Sequence, residues 1–455
     1  MEAVLQVVQR INFYLSDYIL VFLLIGTGLY FSVRTRFVQV RCFGEGMRAV
    51  FGEFNMQGGR QKGGLSSFQA LTTAIAAQVG TGNIIGACGA ILLGGPGAIF
   101  WMWIIAFFGM ATIYAEAVLA QETRRVAEGG SVSGGPVYYI KRAFPGRFGT
   151  FLAGFFAVAL ILALGFMGCM VQSNSIGETC AAAFGVPSWA VGIVVAVLAA
   201  VVFLGGIQRI AGVTEKLVPI MAALYLLGGL VVLVCRVRYL PEAVGMIFRY
   251  AFVPNAIIGG SLGYALKMAV SQGVKRGLFS NEAGMGSTPH AHAMAKVEKP
   301  QDQGVVAMVC VFIDTFVVLT ITALVMITSG ALNVGNMAAN PAAENMAQVA
   351  FSTVFGSFGN FYVAICLLFF AFSTIIGWYF FGEQNVKYLF GVKAVKVYAC
   401  IAVVCVALGA VLEAPLVWNL SDLFNALMVF PNLLALLALS GLVAKAARGG
   451  DALRK

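Results

Sequence analysis

Long apolar segments recur along the chain, and most charged residues lie between them. A helix needs about 20 apolar residues to cross the hydrocarbon core of a membrane, whereas a transmembrane strand shows about 9–11 alternating ones. The pattern predicts an all-α integral membrane protein with eleven transmembrane helices. A leading helix is expected at about 17–33, and ten core helices are expected at about 65–93, 97–121, 149–176, 187–206, 216–235, 257–296, 304–330, 357–381, 391–411 and 417–443.

Composition excludes several classes of protein. Apolar residues make up 60% of the 455 positions and charged residues 11%, against about 25% charged in an ordinary soluble protein. So few charges cannot cover the exterior of a soluble domain, which excludes a soluble enzyme, a disordered regulator and a fibrous repeat. The net charge of +10 comes mostly from short loops, where it indicates membrane topology and not nucleic-acid binding.

The basic residues also predict an orientation. If the loop after the leading helix is cytoplasmic, that side collects 22 of the 29 Lys and Arg residues, and the other side has only Arg10, Arg236, Arg238 and Arg249. We therefore expect a multi-pass protein of the cell (cytoplasmic or inner) membrane, with the N-terminus outside and the C-terminus in the cytoplasm. The expected divisions are a leading helix and cytoplasmic amphipathic loop at 1–64, two five-helix repeats at 65–238 and 239–443, and a cytoplasmic tail at 444–455.

Two core helices carry polar interruptions. Core helix 1 contains AQVGTGN at 77–83, and core helix 6 contains GLFSNEAGMGS at 277–287, five helices later. Interrupted helices at matching positions of two five-helix halves indicate a secondary transporter with an inverted repeat. The freed N–H groups suit a carboxylate, and the freed carbonyls suit Na⁺. The alternative, glycines that only allow close helix packing, explains one interruption more easily than two.

Three sequence blocks resemble those of the alanine or glycine:cation symporter family. They are GGPGAIFWMW at 94–103 (continuing to GMA at 109–111), FSNEAGMGS at 279–287 and FSTIIGWY at 372–379. The resemblance covers nearly the whole chain. It implies a leucine-transporter-like 5+5 inverted-repeat fold with discontinuous core helices 1 and 6. It also implies import of alanine and/or glycine by alternating access, coupled to Na⁺ or, in some members, to H⁺.

The resemblance places the substrate carboxylate at the first interruption. Backbone N–H groups of Thr81 and Gly82 are expected to hold it, since exposed amides bind an anion without a buried cation. The side chain of Asn83 and the carbonyl of Gln78 are expected to help hold an ion or the substrate ammonium. The alternative for Asn83 is a helix cap after the break.

A Na⁺ site is expected beside it. By resemblance, the hydroxyls of Ser373 and Thr374 on core helix 8 are joined there by the carbonyls of Ala76 and Val79. Neutral oxygens of this kind suit a weakly bound hard cation. The alternative is that each hydroxyl bonds to a carbonyl one turn back in its own helix, which is frequent in membrane helices.

Bulky residues are expected to bound the pocket for the substrate side chain. Trp378 lies one turn after Thr374 on the same face, and by resemblance this position lines the pocket, where a tryptophan would leave room for little more than a methyl group. Packing against a neighbouring helix is the alternative for Trp378, as it is for Phe166 and Met170. The other residues assigned to the pocket are Gln172 on core helix 3 and Phe279, Asn281 and Met285 at the second interruption.

The remaining polar residues suggest fewer roles. Glu282 and Asp314 are acids within apolar spans. Each is expected either to bind a proton or cation or to form an ion pair with Lys275 or Arg276. The pair His290 and His292 has no further ligand nearby, so we expect no metal besides the coupling ion. The nine cysteines form no CxxC pair and most lie in apolar runs, so we expect no disulfide.

Other functions lack their sequence features. An intramembrane hydrolase needs a Ser-His or paired Asp arrangement, and ATP-driven transport needs a Gly-x-x-x-x-Gly-Lys-Ser/Thr motif, so we expect no enzyme. A channel does not account for the paired interruptions. An H⁺-coupled symporter of small neutral amino acids and a non-transporting amino-acid receptor of the same fold stay as alternatives. The expected partners are alanine, glycine and the lipid bilayer, with no obligate protein partner indicated.

Overall fold

The structure, a computed structural model, describes residues 2–52, 65–126, 132–253 and 262–449, which are almost entirely helical. In chain order the α-helices are α1 Glu2–Tyr14, α2 Leu20–Arg34, α3 Val38–Arg41, α4 Phe43–Phe51, α5 Ser67–Gln78, α6 Ala87–Gly94, α7 Ala98–Thr123, α8 Pro136–Ala143, α9 Arg147–Leu160, α10 Cys169–Phe184, α11 Ser188–Phe203, α12 Gly206–Cys235, α13 Leu240–Phe252, α14 Leu262–Asn281, α15 Pro289–Met294, α16 Pro300–Val311, α17 Thr320–Thr328, α18 Ala343–Phe355, α19 Phe358–Phe390, α20 Val395–Gly409, α21 Ala414–Ala438 and α22 Ser440–Ala446.

Other regular elements in these ranges are short. Segments of π-helix adjoin α-helices at Leu15–Ile19, Gly82–Gly86, Ile161–Gly168 and Phe312–Leu319. Turns of 3₁₀-helix lie at Val237–Tyr239, Met337–Ala339 and Val392–Ala394. Strand β1 (Arg125–Val126) pairs antiparallel with β2 (Val132–Ser133).

The helices have the dimensions of membrane spans. Within the described ranges, eight helical spans are long and apolar enough to cross a membrane, and the pair Ser67–Gln78 and Gly82–Gly94, bent by 46°, makes a ninth. The shorter apolar helix α11 and the broken helix that contains α14 coincide with two further predicted segments. The prediction of an all-α, multi-pass membrane protein is confirmed.

The leading helix is longer than predicted. α1 continues through Leu15–Ile19 into α2, so the helical segment begins at Glu2 and not at residue 17. Its first part buries Val8 and Asn12, and the Asn12 amide donates to the Asn419 carbonyl on α21 at 2.8 Å. An apolar window misses such a segment because only one of its faces is buried.

The apolar pattern also misses four short helices, α4, α8, α13 and α18, which lie between the spans and bury one face each. Their mixed polarity gives no continuous apolar run. α4 falls in the amphipathic loop expected within 1–64, of which residues 53–64 lie outside the described ranges. Of the expected tail at 444–455, residues 450–455 also lie outside them.

Both predicted interruptions are true breaks, and they meet in the protein interior. Helix α5 ends at Gln78 and helical structure resumes at Gly82, whereas α14 ends at Asn281 and resumes only at Pro289. The expected core helix 6 at 257–296, of which residues 257–261 lie outside the described ranges, is therefore two helices with an irregular centre. Helices α7, α16 and α19 pack against the broken helices, so this centre is fully enclosed.

Candidate functional site

The first break frees backbone N–H groups, and side-chain amides hold them. The Gly80 N–H donates to Asn83 Oδ1 at 2.9 Å, and the Thr81 N–H donates to Gln172 Oε1 at 3.2 Å. Asn83 thus bonds back to an N–H group three residues earlier, whereas a helix cap after the break would accept from N–H groups later in the chain, so this is not the contact of the capping alternative. Gln172 on α10 holds one N–H group that the substrate carboxylate is predicted to use, so a bound carboxylate would compete with its amide oxygen.

Glycine is required at this break because other elements approach its backbone closely. A Cβ atom on Gly80 would lie 2.3 Å from the Thr374 hydroxyl oxygen, and one on Gly82 would lie 3.0 Å from the Ser280 Cα atom. Contacts below 3.0 Å do not fit a real side chain, and those just above it force a shift. Core helix 1 thus touches core helices 6 and 8 at the break itself.

All four residues assigned to a Na⁺ site converge here. The Thr374 hydroxyl lies 2.9 Å from the Ala76 carbonyl and 3.4 Å from the Val79 carbonyl, and the Ser373 hydroxyl lies 3.3 Å from the Ala76 carbonyl. The Phe370 carbonyl, one turn back, lies 2.8 Å from the Ser373 hydroxyl and 3.1 Å from the Thr374 hydroxyl. The alternative of a bond within the same helix is therefore present as well. A hydroxyl can rotate its hydrogen away and offer lone pairs to a cation, so the cluster can act as a ligand set.

Asp314 connects the two broken helices. Its carboxylate accepts a hydrogen bond from the Asn83 amide at 2.6 Å, from the Ser280 hydroxyl at 2.9 and 3.0 Å, and from the Thr315 hydroxyl at 2.8 Å. Asp314 is fully buried, and the donors are neutral. An acid held in this way inside a membrane is a strong candidate for a functional residue.

The alternative pairing of Glu282 or Asp314 with Lys275 or Arg276 is wrong. Lys275 lies 2.6 Å from Asp17 on the leading helix, and Arg276 contacts Asp422 on α21 through two bonds of 3.2 Å. Among the described residues, the ion pairs of these two basic side chains are with Asp17 and Asp422 and not with Glu282 or Asp314.

Trp378, Phe279 and Glu282 form one contact group at the second break. The Trp378 indole N–H donates to Glu282 Oε1 at 2.5 Å, and the Ser287 hydroxyl donates to the other carboxylate oxygen. The rings of Phe279 and Trp378 meet edge to face, with centroids 5.4 Å apart, and a Cβ on Gly82 would lie 3.2 Å from the Phe279 ring. Trp378 thus lies against the second break and reaches the first only through Phe279. A Cβ on Gly168 would lie 2.5 Å from the indole ring, so the packing alternative is present as well.

The other predicted pocket residues divide into two groups. The Gln78 amide donates to the Asn281 carbonyl at 2.7 Å and so joins the two breaks, and Met285 is buried in the second break. Phe166 instead packs on Tyr398, and a Cβ on Gly409 would lie 2.6 Å from the Met170 Cα, so both residues are at α20. The packing alternative fits them, because Phe166 lies in π-helix Ile161–Gly168, where α-helical spacing does not apply.

Glu116 on α7 is a site residue that the sequence analysis does not single out. Its carboxylate accepts from the N–H groups of Gly284 and Gly286 at 3.2 and 2.9 Å and from the Asn432 amide at 2.6 Å. The freed N–H groups of the second break are therefore held by an internal acid. An acid within predicted span 97–121 is the signal that identifies it.

The two histidines serve the structure. His290 lies 2.7 Å from the Ser287 carbonyl and 2.9 Å from the Asn385 amide, and His292 lies 2.7 Å from the Gln303 amide. Among the described residues, no group of three or more His, Cys, Asp or Glu side chains is placed to hold a metal ion.

Comparison with known proteins identifies the family. A model of the sodium:alanine symporter family matches residues 1–451. The chain belongs to the sodium:alanine symporter family. It is a secondary transporter and not an enzyme.

Relatives and solved structures agree with this assignment. The chain is 42% identical over 445 residues to sodium/alanine symporter AgcS of Methanococcus maripaludis, covering 98% of this chain and 96% of that protein. It is 37% identical over 445 residues to "Probable sodium/glutamine symporter GlnT" of Bacillus subtilis, covering 97% and 90%. The crystal structure of MhsT in complex with L-phenylalanine matches with a TM-score of 0.56 at 15% identity, covering 85% of this chain and 89% of that chain. The last match shows a leucine-transporter-like fold.

Proposed function

We propose that this protein imports alanine and/or glycine together with Na⁺ by alternating access. The observation that carries the proposal is the convergence of four buried oxygens, from Ala76, Val79, Ser373 and Thr374, at the first break. They join core helix 1 to core helix 8, so a cation bound between them would favour one arrangement of the two helices. An ion gradient can then drive a conformational equilibrium.

A small substrate is supported by what surrounds the first break. Phe279 and Gly82 are in near contact, and Trp378 lies against Phe279. The carboxylate would bind at the Thr81 and Gly82 N–H groups by displacing the Gln172 oxygen, and the two rings would limit the side chain to a methyl group or a hydrogen. The name of the Methanococcus relative specifies alanine, and that of the Bacillus relative specifies glutamine.

We further propose the 5+5 inverted-repeat arrangement after a leading helix. Adding α11 and the broken helix containing α14 to the nine spans gives eleven, the predicted number. The repeats at 65–238 and 239–443 each begin near a broken helix. The basic residues support a location in the cytoplasmic membrane with the N-terminus outside.

Coupling to H⁺ is a second candidate, and Asp314 favours it. This acid contacts Asn83 at the first break and Ser280 next to the second, so a change in its charge would reach both broken helices. Proton relays in transporters use buried acids of this kind.

Uptake into proteoliposomes distinguishes the candidates. Labelled alanine should accumulate when Na⁺ is imposed outside without nucleotide, and an ionophore that collapses the Na⁺ gradient should abolish accumulation. If an H⁺ gradient drives alanine accumulation when the Na⁺ concentration is equal on both sides, the coupling ion is H⁺ and not Na⁺. Saturable alanine binding without uptake under either gradient would contradict transport of alanine and favour a receptor.

A further inference from the structure

A groove of about 540 Å³ lies on the outside of the helical bundle, between the leading helix and α14. Its walls are apolar along most of their length, with Val21, Phe22 and Ile25 on one side and Leu266 and Val270 on the other. The polar lining residues Asp17, Tyr18, Lys267 and Ser271 lie at one end, where Lys267 and Ser271 alternate along α14 with Leu266 and Val270. The other end, formed by the leading helix from Val21 to Gly26, is apolar. The groove thus combines an apolar channel with a polar mouth.

Open space adjoins two glycines of the groove. Gly26 and Gly263 both line it, and an added Cβ atom would meet no other residue within 4 Å at either position. By contrast, a Cβ on Gly28, which faces α7, would lie 2.8 Å from the Phe108 Cβ. The leading helix therefore packs closely on α7 and leaves space on the side of α14.

The groove has the depth of one membrane leaflet. If the break after Asn281 lies at the bilayer centre, Lys267 lies about 21 Å from it along α14, at 1.5 Å per residue. Half of the hydrocarbon core is about 15 Å thick, so Lys267 is at the level of the lipid headgroups. Gly26 lies about 13 Å beyond Asp17 along the leading helix, close to the centre. By the same measure, the α14 residues that line the groove lie about 15 Å or more from the centre, so the inner part of the groove is lined by the leading helix. The distance from Lys267 to Gly26 matches one acyl chain, which would enter between the two helices and continue along the leading helix.

The polar end carries a net positive charge. Asp17 is already paired with Lys275 at 2.6 Å and accepts a bond from Ser271 at 3.0 Å. Lys267 instead lies over the rings of Phe13 and Tyr18, with its Nζ 3.9 and 4.4 Å from their centroids. Across residues 2–52, 65–126, 132–253 and 262–449, no carboxylate lies within ion-pair distance of Lys267. An anionic headgroup would therefore find an unneutralised cation at the mouth.

We propose that the groove binds an anionic phospholipid, with one acyl chain between the leading helix and α14 and its phosphate at Lys267. Basic residues between membrane helices are suited to such headgroups. The lipid would touch the half of core helix 6 that carries Phe279, Ser280 and Asn281 into the candidate site. It would therefore link lipid composition to the movement of that helix.

Native mass spectrometry of the purified protein tests lipid retention directly. The probes are phosphatidylglycerol and phosphatidylcholine, offered as an equimolar mixture in detergent. Wild type should retain one phosphatidylglycerol in preference to phosphatidylcholine. One basic side chain near a membrane surface is worth about fivefold in affinity, so K267Q should lower the apparent affinity for phosphatidylglycerol about fivefold. G26L should place a side chain in the groove and reduce retention of both lipids.

Matched variants separate the groove from general effects. R238Q removes an exposed basic residue on the same predicted side, and G154L adds a side chain where a Cβ also meets nothing within 4 Å. Both should retain phosphatidylglycerol as wild type does. Equal retention of the two lipids by wild type, or unchanged retention in both K267Q and G26L, would overturn the proposal. Since this measurement needs no transport, a protein that retains the lipid but does not transport alanine would contradict only the proposed function.

Discussion

The hydroxyl of Thr374 is the residue-scale feature that most directly links the structure to cation coupling. It lies within 3.4 Å of two carbonyls of core helix 1. We expect Thr374→Ala to raise the half-saturating Na⁺ concentration for alanine uptake about fivefold to tenfold, because one ligand oxygen is lost. Thr179→Ala is the control, since this buried threonine also bonds one turn back but is on α10, away from the cluster. An unchanged Na⁺ dependence in Thr374→Ala would remove Thr374 from the site.

Trp378 is expected to set the size of the accepted substrate. Shortening it to Ala should open space beside the substrate methyl group, where each added methylene is worth about 0.8 kcal/mol. The larger amino acids from serine to leucine should then compete better with labelled alanine, while alanine binds more weakly. Trp378→Phe keeps a ring but loses the bond to Glu282, so it separates that bond from the size effect. If the competing amino acids have the same rank order of affinity in wild type and Trp378→Ala, Trp378 is a packing residue and does not bound the pocket.

Gly82 should tolerate no side chain. Even in Gly82→Ala, the Cβ would lie 3.0 Å from Ser280 and 3.2 Å from the Phe279 ring. We expect alanine to lose its protection of this variant against thermal unfolding, because the two broken helices are forced apart at the N–H groups. In Gly89→Ala the nearest atom to the Cβ is Ala343 Cβ at 3.7 Å, so protection should persist. Equal protection of both variants would place the carboxylate elsewhere.

At the scale of elements, a helix break inside a membrane needs partners for its freed backbone groups, because lipid supplies none. The freed groups of the two breaks have different partners. Neutral amides of Asn83 and Gln172 hold the first, where ligands are expected, and the Glu116 carboxylate holds the second. A neutral acceptor can be displaced by a substrate carboxylate more easily than a charged one that makes stronger hydrogen bonds. The second break is therefore expected to be the more rigid.

The variant Glu116→Gln tests whether the carboxylate stabilises the second break. An amide keeps one acceptor oxygen but turns an NH₂ group toward a backbone N–H, so we expect a loss of about 1–3 kcal/mol in stability. Thermal unfolding of the purified protein measures this effect. Glu178 is exposed, and Glu178→Gln should unfold like wild type. If Glu116→Gln is as stable as wild type, the carboxylate does not hold the second break.

At the scale of the whole molecule, the leading helix packs on α7 and also makes polar contacts with other helices of the bundle. Asp17 pairs with Lys275 on α14, and the Asn12 amide reaches α21. We therefore expect the leading helix to move with, or restrain, the N-terminal half of core helix 6 during the proposed transport cycle. Such a contact acts on rates when it forms in one conformation and not in another.

Exchanging the charges of Asp17 and Lys275 tests whether this ion pair couples the two helices. We expect Asp17→Asn and Lys275→Gln each to change the maximal rate of alanine uptake severalfold and to leave the half-saturating alanine concentration nearly unchanged. The double variant Asp17→Lys with Lys275→Asp should recover part of the rate, because an ion pair can form again. Arg10→Gln alters an exposed charge on the same helix and serves as the control. The effect of the double variant is compared with those of the single variants Asp17→Lys and Lys275→Asp, and additive effects would show that the pair does not couple the helices.

The sequence alone determined the membrane class, most of the spans and the two interruptions. These are local properties, since glycines and polar residues at 77–83 and 277–287 weaken a helix wherever it packs. The family blocks also indicated that Ser373 and Thr374 lie near Ala76 and Val79. Short amphipathic helices such as α13 were not predicted, because they lack a long apolar run.

Only the tertiary structure decided which side chain meets which freed group. Thr81 and Gln172 are 91 positions apart, Asn83 and Asp314 are 231 apart, and Glu116 and Gly284 are 168 apart. Such pairs depend on how each helix is rotated about its axis and on its depth, and an apolar segment specifies neither. For the same reason, the sequence could not show that Phe166, predicted to line the pocket, also packs on Tyr398 of α20, since a π-helical segment changes the direction of its side chain.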